Sequence, residues 1–249
     1  MDFVEIKVKS TLDGSLEPSL FAKSDMEGKR PLLVFLHTWS FDRNNQVQRL
    51  SYAEKHGFHI LLPEFRGPNL SSNPRCTEAC GSKLARQDIK DAIDYVIANY
   101  SVDTKSIFLV GMSGGGHMSL MMAGFCPEYF RAVASFVPIT DLSAWCEYSS
   151  HYAAHVKACC GTYDEIIERS PISHLDGISR ANVKIFAGRY DKVVPYRQTV
   201  DFYNALIEQY PDARVFIDIF DGGHEYNETL ADEWLMSQYK KQAVDEVTG

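Results

Sequence analysis

VGMSGGGHMSL, residues Val110–Leu120, places one serine between an apolar run and a helix-like stretch, with glycines on both sides of it. The apolar residues predict a short buried strand over 106–110, and the residues that follow predict a helix over 117–125. A Gly-x-Ser-x-Gly turn at such a junction is typical of a nucleophile elbow, whose glycines leave room for a sharp, strained turn. Ser113 is therefore the candidate nucleophile, and the alternative is a serine that only caps the helix.

Two other glycine-rich motifs fail at particular positions. A phosphate loop over 111–116 needs lysine and then serine or threonine next, where the chain has His117 and Met118. A dinucleotide-binding fingerprint that begins at Gly114 needs a glycine where the chain has Ser119. The turn therefore predicts neither kind of nucleotide site, and we expect no cofactor.

The bulk composition is that of an ordinary globular protein. Hydrophobic residues make up 45% and charged residues 23% of the 249 residues, a length that suits one α/β domain over 1–249. The net charge of −8 argues against nucleic acid or an anionic membrane as a partner. No apolar run approaches the roughly 18 residues of a membrane span, and the first residues do not read as a signal peptide. We therefore expect a cytoplasmic protein that acts on small molecules or short peptides.

Cysteine spacing gives no sign of a zinc site. The six cysteines are Cys76, Cys80, Cys126, Cys146, Cys159 and Cys160. Neither close pair has the C-x-x-C spacing, and no histidine cluster completes a ligand set. We expect reduced thiols, and a disulfide between Cys76 and Cys80 is the alternative for a secreted protein.

Apolar runs alternate with helical periodicity along most of the chain. Strands are predicted over 3–8, 16–22, 31–36, 58–62, 106–110, 132–137, 183–187 and 215–220. Helices are predicted over 45–56, 85–100, 117–125, 196–209 and 228–241. Strands that alternate with helices indicate a mostly parallel sheet with helices on both faces, and the first two strands indicate an antiparallel hairpin.

The alternation breaks between Pro138 and Pro171, in a segment rich in aromatic residues. Open α/β sheets build ligand sites from insertions at the carboxyl ends of their strands. The segment therefore predicts a small helical cap over about 138–175, and the alternative is a surface excursion that packs on the body. As cap residues, Trp145 and Tyr148 are candidate pocket residues that would stack on a sugar or an aromatic acyl group.

Two loops offer the partners that a serine nucleophile needs. Asp191 follows the strand predicted over 183–187, and His224 follows the last strand, 215–220. The order Ser, Asp, His along the chain is the one that accompanies this type of elbow. His224 would take the proton of Ser113 and deliver it to the leaving group, while Asp191 orients the imidazole. The alternatives are a turn aspartate bonded to its own backbone and an exposed loop histidine.

Other titratable residues fit these roles less well. His117 lies four residues after the serine and is expected to pack beside it. Asp221 precedes the loop histidine by three residues and cannot easily bend back to orient it. His151 and His155 share a helical face, but Tyr152 stands where a zinc protease motif needs glutamate, so we expect no catalytic metal.

An oxyanion hole needs two backbone N–H donors aimed at the developing charge. One is expected from Gly114, directly after the nucleophile at the positive end of the helix. The other is expected from the loop after the third strand, where the amide of Trp39 is the candidate and its ring would form a pocket wall.

Three polar residues near the early strand ends are candidates for the substrate pocket: His37, Glu64 and Arg66. If they face the site, Glu64 would recognise a cationic group and Arg66 an anionic one. The alternative for Glu64 and Arg66 is a surface ion pair.

With these residues placed, the chain resembles the α/β-hydrolase superfamily over about residues 30–242. It is most similar to the catalytic domain of the prolyl oligopeptidase (S9) family and to the small esterases grouped with it. The motifs that carry the resemblance are LHTWSFD (36–42), GMSGGG (111–116), SPISHLDGI (170–178), GRYDKVVP (188–195) and DGGHEY (221–226). The resemblance implies Ser113, Asp191 and His224 as a catalytic triad.

Two departures from the family pattern bear on the expected function. The chain leaves no room for the β-propeller of prolyl oligopeptidases, and His37-Thr38 replaces the more usual His-Gly. The first departure favours a serine hydrolase that cleaves carboxylic esters, including acyl groups on carbohydrates, through an acyl-enzyme. The alternatives are an S9-like exopeptidase that acts on short peptides and a ligand-binding protein on the same fold.

Overall fold

Eight strands form one sheet within residues 2–248, the part of the chain that the computed structural model describes, with side chains described for residues 2–241. The strands are β1 (Val4–Lys9), β2 (Leu16–Ala22), β3 (Arg30–Leu36), β4 (His59–Pro63), β5 (Val102–Met112), β6 (Ala132–Phe136), β7 (Val183–Gly188) and β8 (Val215–Phe220). Their order across the sheet is β1-β2-β4-β3-β5-β6-β7-β8.

The strand directions agree with the predicted fold class. The strands β1 and β2 form an antiparallel hairpin, and β2 also pairs antiparallel with β4. All the remaining neighbours pair in parallel. The carboxyl ends of β3, β5, β7 and β8 therefore lie at one edge of the sheet, where loops that follow these strands meet.

Helices cover both faces of this sheet. They are α1 (Leu50–His56), α2 (Lys83–Asn99), α3 (Gly114–Phe125), α4 (Leu142–Tyr148), α5 (Ser150–Cys160), α6 (Tyr163–Glu168), α7 (Leu175–Ser179), α8 (Tyr196–Gln209) and α9 (Glu228–Thr248). The apolar faces of α2, α3 and α8 form one core with the sheet, and α1 and α9 form another on the opposite side. Because both faces are covered, β3 to β7 are apolar along most of their length.

Most predicted bounds agree with the structure to within a few residues, and two differ for identifiable reasons. The helix predicted over 45–56 is a 3-10 segment, Arg43–Arg49, followed by α1, with a non-helical kink at Gln46. Polar side chains compete for backbone groups here, since Asn45 accepts the Thr38 N–H. The helix α3 begins at Gly114, three residues before the predicted start at His117. Its first residues are glycines, which are poor helix formers, so this first turn was not apparent from the sequence.

The segment between β6 and β7 is helical, as predicted. It contains α4, α5 and α6, then a 3-10 turn at Pro171–His174 and α7. The helices α4 to α6 carry much of a third apolar cluster, which also includes Trp39 from the loop after β3. That residues 1–249 act as one domain, with a cap inserted over about 138–175, stays a prediction.

No helix within the described residues has the length and apolarity that crossing a membrane requires. All six cysteines are free thiols in this structure, so Cys76 and Cys80 are not paired.

Candidate active site

Ser113 occupies the turn between β5 and α3 with a strained backbone. Its φ of 57° and ψ of −119° place it in a region that residues other than glycine rarely adopt. Glycines on either side make this turn possible, because other parts of the backbone pack where their side chains would be. A Cβ at Gly111 would overlap the carbonyl oxygen of Gly115, and a Cβ at Gly115 would lie 2.5 Å from the carbonyl oxygen of Leu36. The serine side chain is thereby held at the carboxyl edge of the sheet.

Three side chains from three loops form a continuous hydrogen-bonded chain at this edge. The Oγ of Ser113 lies 2.8 Å from Nε2 of His224, which follows β8. The Nδ1 of the same histidine lies 2.8 Å from Oδ2 of Asp191, which follows β7. With a proton on Nδ1, the histidine donates to the carboxylate and accepts from the serine hydroxyl. This is the arrangement in which an imidazole removes a serine proton.

Asp191 uses both of its carboxylate oxygens. Its Oδ1 accepts the backbone N–H groups of Val193 and Val194 at 2.8 and 2.9 Å, while Oδ2 faces the imidazole of His224. The expected role as an orienting acid and the alternative role as a turn residue therefore coexist in one side chain. The backbone bonds fix the carboxylate plane, which in turn fixes the plane of the histidine ring.

The competing histidines have other partners. His117 is fully buried, and its Nε2 lies 2.7 Å from the carbonyl oxygen of Arg169. Burial lowers the pKa of His117 to about 4, so its ring is neutral and packs beside the elbow, as predicted. His155 lies in α5 and its Nδ1 accepts the backbone N–H of Ser71. Neither ring reaches the serine hydroxyl.

The two backbone donors predicted for an oxyanion hole lie next to each other. A Cβ at Gly114 would lie 2.5 Å from the backbone nitrogen of Trp39, so only glycine permits this approach. Within the described residues, neither amide donates to a protein acceptor. Two unpaired N–H groups at the start of a helix, beside the serine, suit a developing negative charge.

A cleft of about 230 Å³ opens at the serine hydroxyl. The residues that line it are Thr38, Trp39, Ser40, Phe41, Met112, Ser113, Tyr152 and His224. Four of these eight residues are aromatic or apolar, and none of the described lining residues has an acidic side chain. Phe41, Met112 and Tyr152 were not singled out as pocket residues from the sequence. The aromatic content of the 138–171 segment was the available signal for Tyr152.

A model of the prolyl oligopeptidase family matches residues 40–241, which is most of the chain. The chain belongs to the prolyl oligopeptidase family. The predicted resemblance and the predicted class of enzyme, a serine hydrolase, are thereby confirmed.

Relatives within and beside this family include peptidases and an esterase. The chain is 28% identical over 166 residues to the rat acylamino-acid-releasing enzyme, a match that covers 61% of the chain and 22% of the relative. It is 25% identical over 179 residues to a probable acetylxylan esterase A of Aspergillus fumigatus, covering 70% of the chain and 46% of the relative. The chain thus spans less than half the length of either relative.

Solved structures of related enzymes share the fold. Acylaminoacyl peptidase of Pyrococcus horikoshii superposes with a TM-score of 0.75 at 21% identity, covering 97% of this chain and 40% of that one. Dipeptidyl peptidase 4 of Porphyromonas gingivalis gives a TM-score of 0.75 at 18% identity, covering 96% and 35%. The predicted α/β-hydrolase fold is therefore confirmed.

Two residues that the sequence predicts for the substrate pocket do not line the cleft. Trp145 is buried behind the cleft, where its indole N–H donates to the carbonyl oxygen of Val193 and its ring packs on Trp39 and Tyr152. Tyr148 lines a separate groove of about 240 Å³ between α4 and α8. The α4 helix turns these two side chains away from the serine, so neither contacts the cleft directly.

Arg66 does not face the cleft either, which corrects its predicted role. Its guanidinium is fully buried and binds the carboxylates of Asp13, Glu78 and Asp88. The alternative of a surface ion pair is also wrong, because the head group is enclosed by these carboxylates. Arg66 thereby connects the hairpin loop, the loop after β4 and α2.

Glu64 and His37 lie beneath the loop that carries Trp39, not in the cleft. The Oε2 of Glu64 accepts both the backbone N–H and a guanidinium N–H of Arg43 at 3.1 Å. The Oε1 lies 3.6 Å from Nε2 of His37, whose ring stacks on Phe65 at 3.8 Å. Full burial lowers the pKa of His37 against the opposing effect of the Glu64 carboxylate, so this ring is neutral.

Proposed function

We propose that this protein is a serine peptidase that cleaves short peptides whose N-terminus is blocked by a neutral acyl group. The observation that carries the proposal is the cleft at Ser113, whose described lining residues are half aromatic or apolar and include no carboxylate. A peptide with a free N-terminus brings an ammonium group, and burying it without a counter-charge is costly. An acylated N-terminus brings no such charge. The names of the acylamino-acid-releasing enzymes to which the chain is similar agree with this choice.

The proposed reaction begins with attack of the Ser113 hydroxyl on the substrate carbonyl carbon. His224 accepts the hydroxyl proton through Nε2 as the Oγ–C bond forms, and Asp191 stabilises the resulting imidazolium. The carbonyl oxygen becomes negative and binds the amides of Gly114 and Trp39. The imidazolium then gives its proton to the leaving amine, which leaves an acyl-enzyme. A water molecule, activated by the same imidazole, hydrolyses the acyl-enzyme and regenerates the serine.

Ester hydrolysis is a second candidate, favoured by the similarity to a probable acetylxylan esterase. The chemistry at Ser113 is the same for both substrates, and an alkoxide leaves more readily than an amine. The family match and the larger number of peptidase relatives support the peptide reaction more strongly.

A matched set of substrates tests the proposal. We expect N-acetyl-phenylalanine p-nitroanilide to be cleaved with a kcat/KM at least about tenfold above that of phenylalanine p-nitroanilide. The free amine must bury an unpaired ammonium group, and a free-energy cost of about 1.4 kcal/mol corresponds to a tenfold ratio. The control is acetylated xylo-oligosaccharide, measured under the same conditions. Equal or faster cleavage of the free amine would contradict the proposal. Turnover of the sugar ester without turnover of either anilide would favour the esterase.

The loop that carries Trp39 gives a second prediction. Glu64→Ala removes the acceptor that ties this loop to β4 through the Arg43 amide. We expect kcat to fall by about tenfold with KM nearly unchanged, a part of the 10²–10³-fold cost of losing an oxyanion donor. Glu64→Gln, which retains an acceptor oxygen, should recover most of the rate.

The matched control is Glu5→Ala, which removes the other carboxylate on Arg43 but leaves the loop's backbone bond in place. This half-exposed ion pair is expected to contribute little, so steady-state kinetics should be close to those of the parent protein. A rise in KM with unchanged kcat in Glu64→Ala would instead mean that Glu64 contacts the substrate.

A further inference from the structure

Four of the six cysteines gather where the loop after β4 meets the end of α5. Cys76 and Cys80 belong to the loop, and Cys159 and Cys160 are the last residues of the helix. The Sγ atoms of Cys80 and Cys160 lie 4.0 Å apart, and the Sγ of Cys76 donates to the carbonyl oxygen of Ala158, the residue before Cys159, at 3.6 Å. We call these four residues the thiol cluster. It brings together segments that are about 80 residues apart in the sequence.

A buried arginine ties the two sides of the thiol cluster together. The Nη1 of Arg169 donates to the carbonyl oxygens of Thr77 and Ala79 on the loop and of Cys159 on the helix, at 3.1–3.2 Å. This side chain is only 5% exposed. Its guanidinium therefore places a fixed positive charge beside the sulfur atoms, a setting that favours a thiolate.

Within the thiol cluster, the four sulfur atoms are not equivalent. Hydrogen bonds from Cys80 and Cys76, together with the Arg169 cation, lower the pKa of Cys159 against the effect of burial. Burial raises the pKa of Cys76, but Cys76 is the one member of the thiol cluster that is partly exposed. The nucleophilic sulfur is thus inside, and the sulfur that a reagent can reach is at the surface.

We propose that the thiol cluster is a reversible disulfide site in which Cys76 and Cys159 form the bond. A small-molecule disulfide such as oxidised glutathione first exchanges with Cys76, forming a mixed disulfide and releasing one glutathione thiol. The Cys159 thiolate then attacks the Cys76 sulfur, the sulfur–sulfur bond to glutathione breaks, and the second glutathione leaves as a thiol after taking up a proton. Two protein thiols are oxidised and one glutathione disulfide is reduced.

The site lies behind a wall of the active-site cleft. Cys80, Cys159 and Cys160 belong to the same apolar cluster as Trp39 and Trp145. The helix α5 also carries Tyr152, whose side chain lines the cleft. A bond between Cys76 and Cys159 would fix α5 to the loop and restrict the movement of this wall. Any change in hydrolytic activity on oxidation rests on the proposed function, whereas formation of the bond does not.

The test is disulfide mapping of the full-length protein after incubation with oxidised glutathione. We expect a peptide that joins Cys76 to Cys159, formed in the folded protein and lost on treatment with dithiothreitol. In Cys159→Ser the cross-link should be absent and glutathione should remain attached to Cys76. In Cys76→Ser, a change at a partly exposed position, neither the cross-link nor that adduct should form.

Cys146→Ser is the matched control, because Cys146 is also partly exposed but lies on α4, outside the thiol cluster. This variant should cross-link like the parent protein. Glutathione adducts on Cys76 without a cross-link in the parent protein would overturn the proposal, and so would a cross-link between Cys80 and Cys160 instead. Since the mapping does not depend on catalysis, a protein that forms the cross-link but cleaves no acylated peptide in its reduced form would overturn only the proposed function.

Discussion

Ser113→Ala is expected to lower kcat/KM for every accepted substrate by about 10⁵-fold or more, since it removes the atom that forms the acyl-enzyme. The Ser113 hydroxyl bonds to His224, whereas the close packing of the elbow depends on the glycines around the serine. The folded structure should therefore persist, with a melting temperature close to that of the parent protein. Residual hydrolysis would come from the two oxyanion amides and from substrate binding alone.

Two measurements check this expectation. Steady-state kinetics gives the rate loss, and intact mass after exposure to a fluorophosphonate probe reports the activated serine directly. The parent protein should gain one adduct that Ser113→Ala lacks. Ser119→Ala is the control, because Ser119 lies in α3, the helix that follows Ser113, and donates to the carbonyl oxygen of Gly116. An adduct that persists in Ser113→Ala would place the nucleophile at another residue.

The sequence predicted the sheet well because local patterns determine it. Strands covered on both faces are nearly continuous apolar runs, so β3, β4, β6 and β7 were recognisable without knowledge of their neighbours. The N-terminal hairpin showed the alternation of a half-exposed sheet. The kink at Gln46 was not predictable in this way, because the adjacent Asn45 side chain binds the backbone of Thr38, seven residues earlier in the same connection.

The site residues likewise differ in whether a local sequence pattern predicts their position. Ser113, Asp191 and His224 each occupy a short loop directly after a strand, so sequence order alone places them at one edge of the sheet. The environment of Arg66 depends on carboxylates 53, 12 and 22 residues away, a set that no local pattern indicates. The residues that line the cleft are equally hard to predict from sequence, because Tyr152 reaches the site only through the packing of α5.

The preference between ester and peptide substrates lies beyond these patterns. A triad, an oxyanion hole and an acyl-enzyme serve both leaving groups, so the motifs that predict the chemistry do not distinguish them. The family match and the peptidase relatives favour the peptide alternative over the expected ester hydrolysis. Charge in the cleft, visible only in three dimensions, bears on the substrate more directly.

Asp191→Asn is expected to lower kcat by about 10⁴-fold while leaving the fold intact. The reason lies in the two bonds that hold Oδ1. The backbone N–H groups of Val193 and Val194 require an acceptor at that position, so an asparagine side chain will place its oxygen there. Its NH₂ group will then face Nδ1 of His224, which must lose its proton to accept that bond. The imidazole proton moves to Nε2, where it prevents uptake of the proton of Ser113.

Asp221→Asn provides the matched comparison. Asp221 lies three residues before the same histidine and is exposed to solvent, so this change makes the same loss of charge near the site without altering the histidine tautomer. Steady-state kinetics of the two variants should differ by about 10⁴-fold in kcat, with equal melting temperatures. Similar rates in the two variants would mean that Asp191 acts only through its backbone bonds. A large loss in Asp221→Asn alone would reassign the orienting carboxylate.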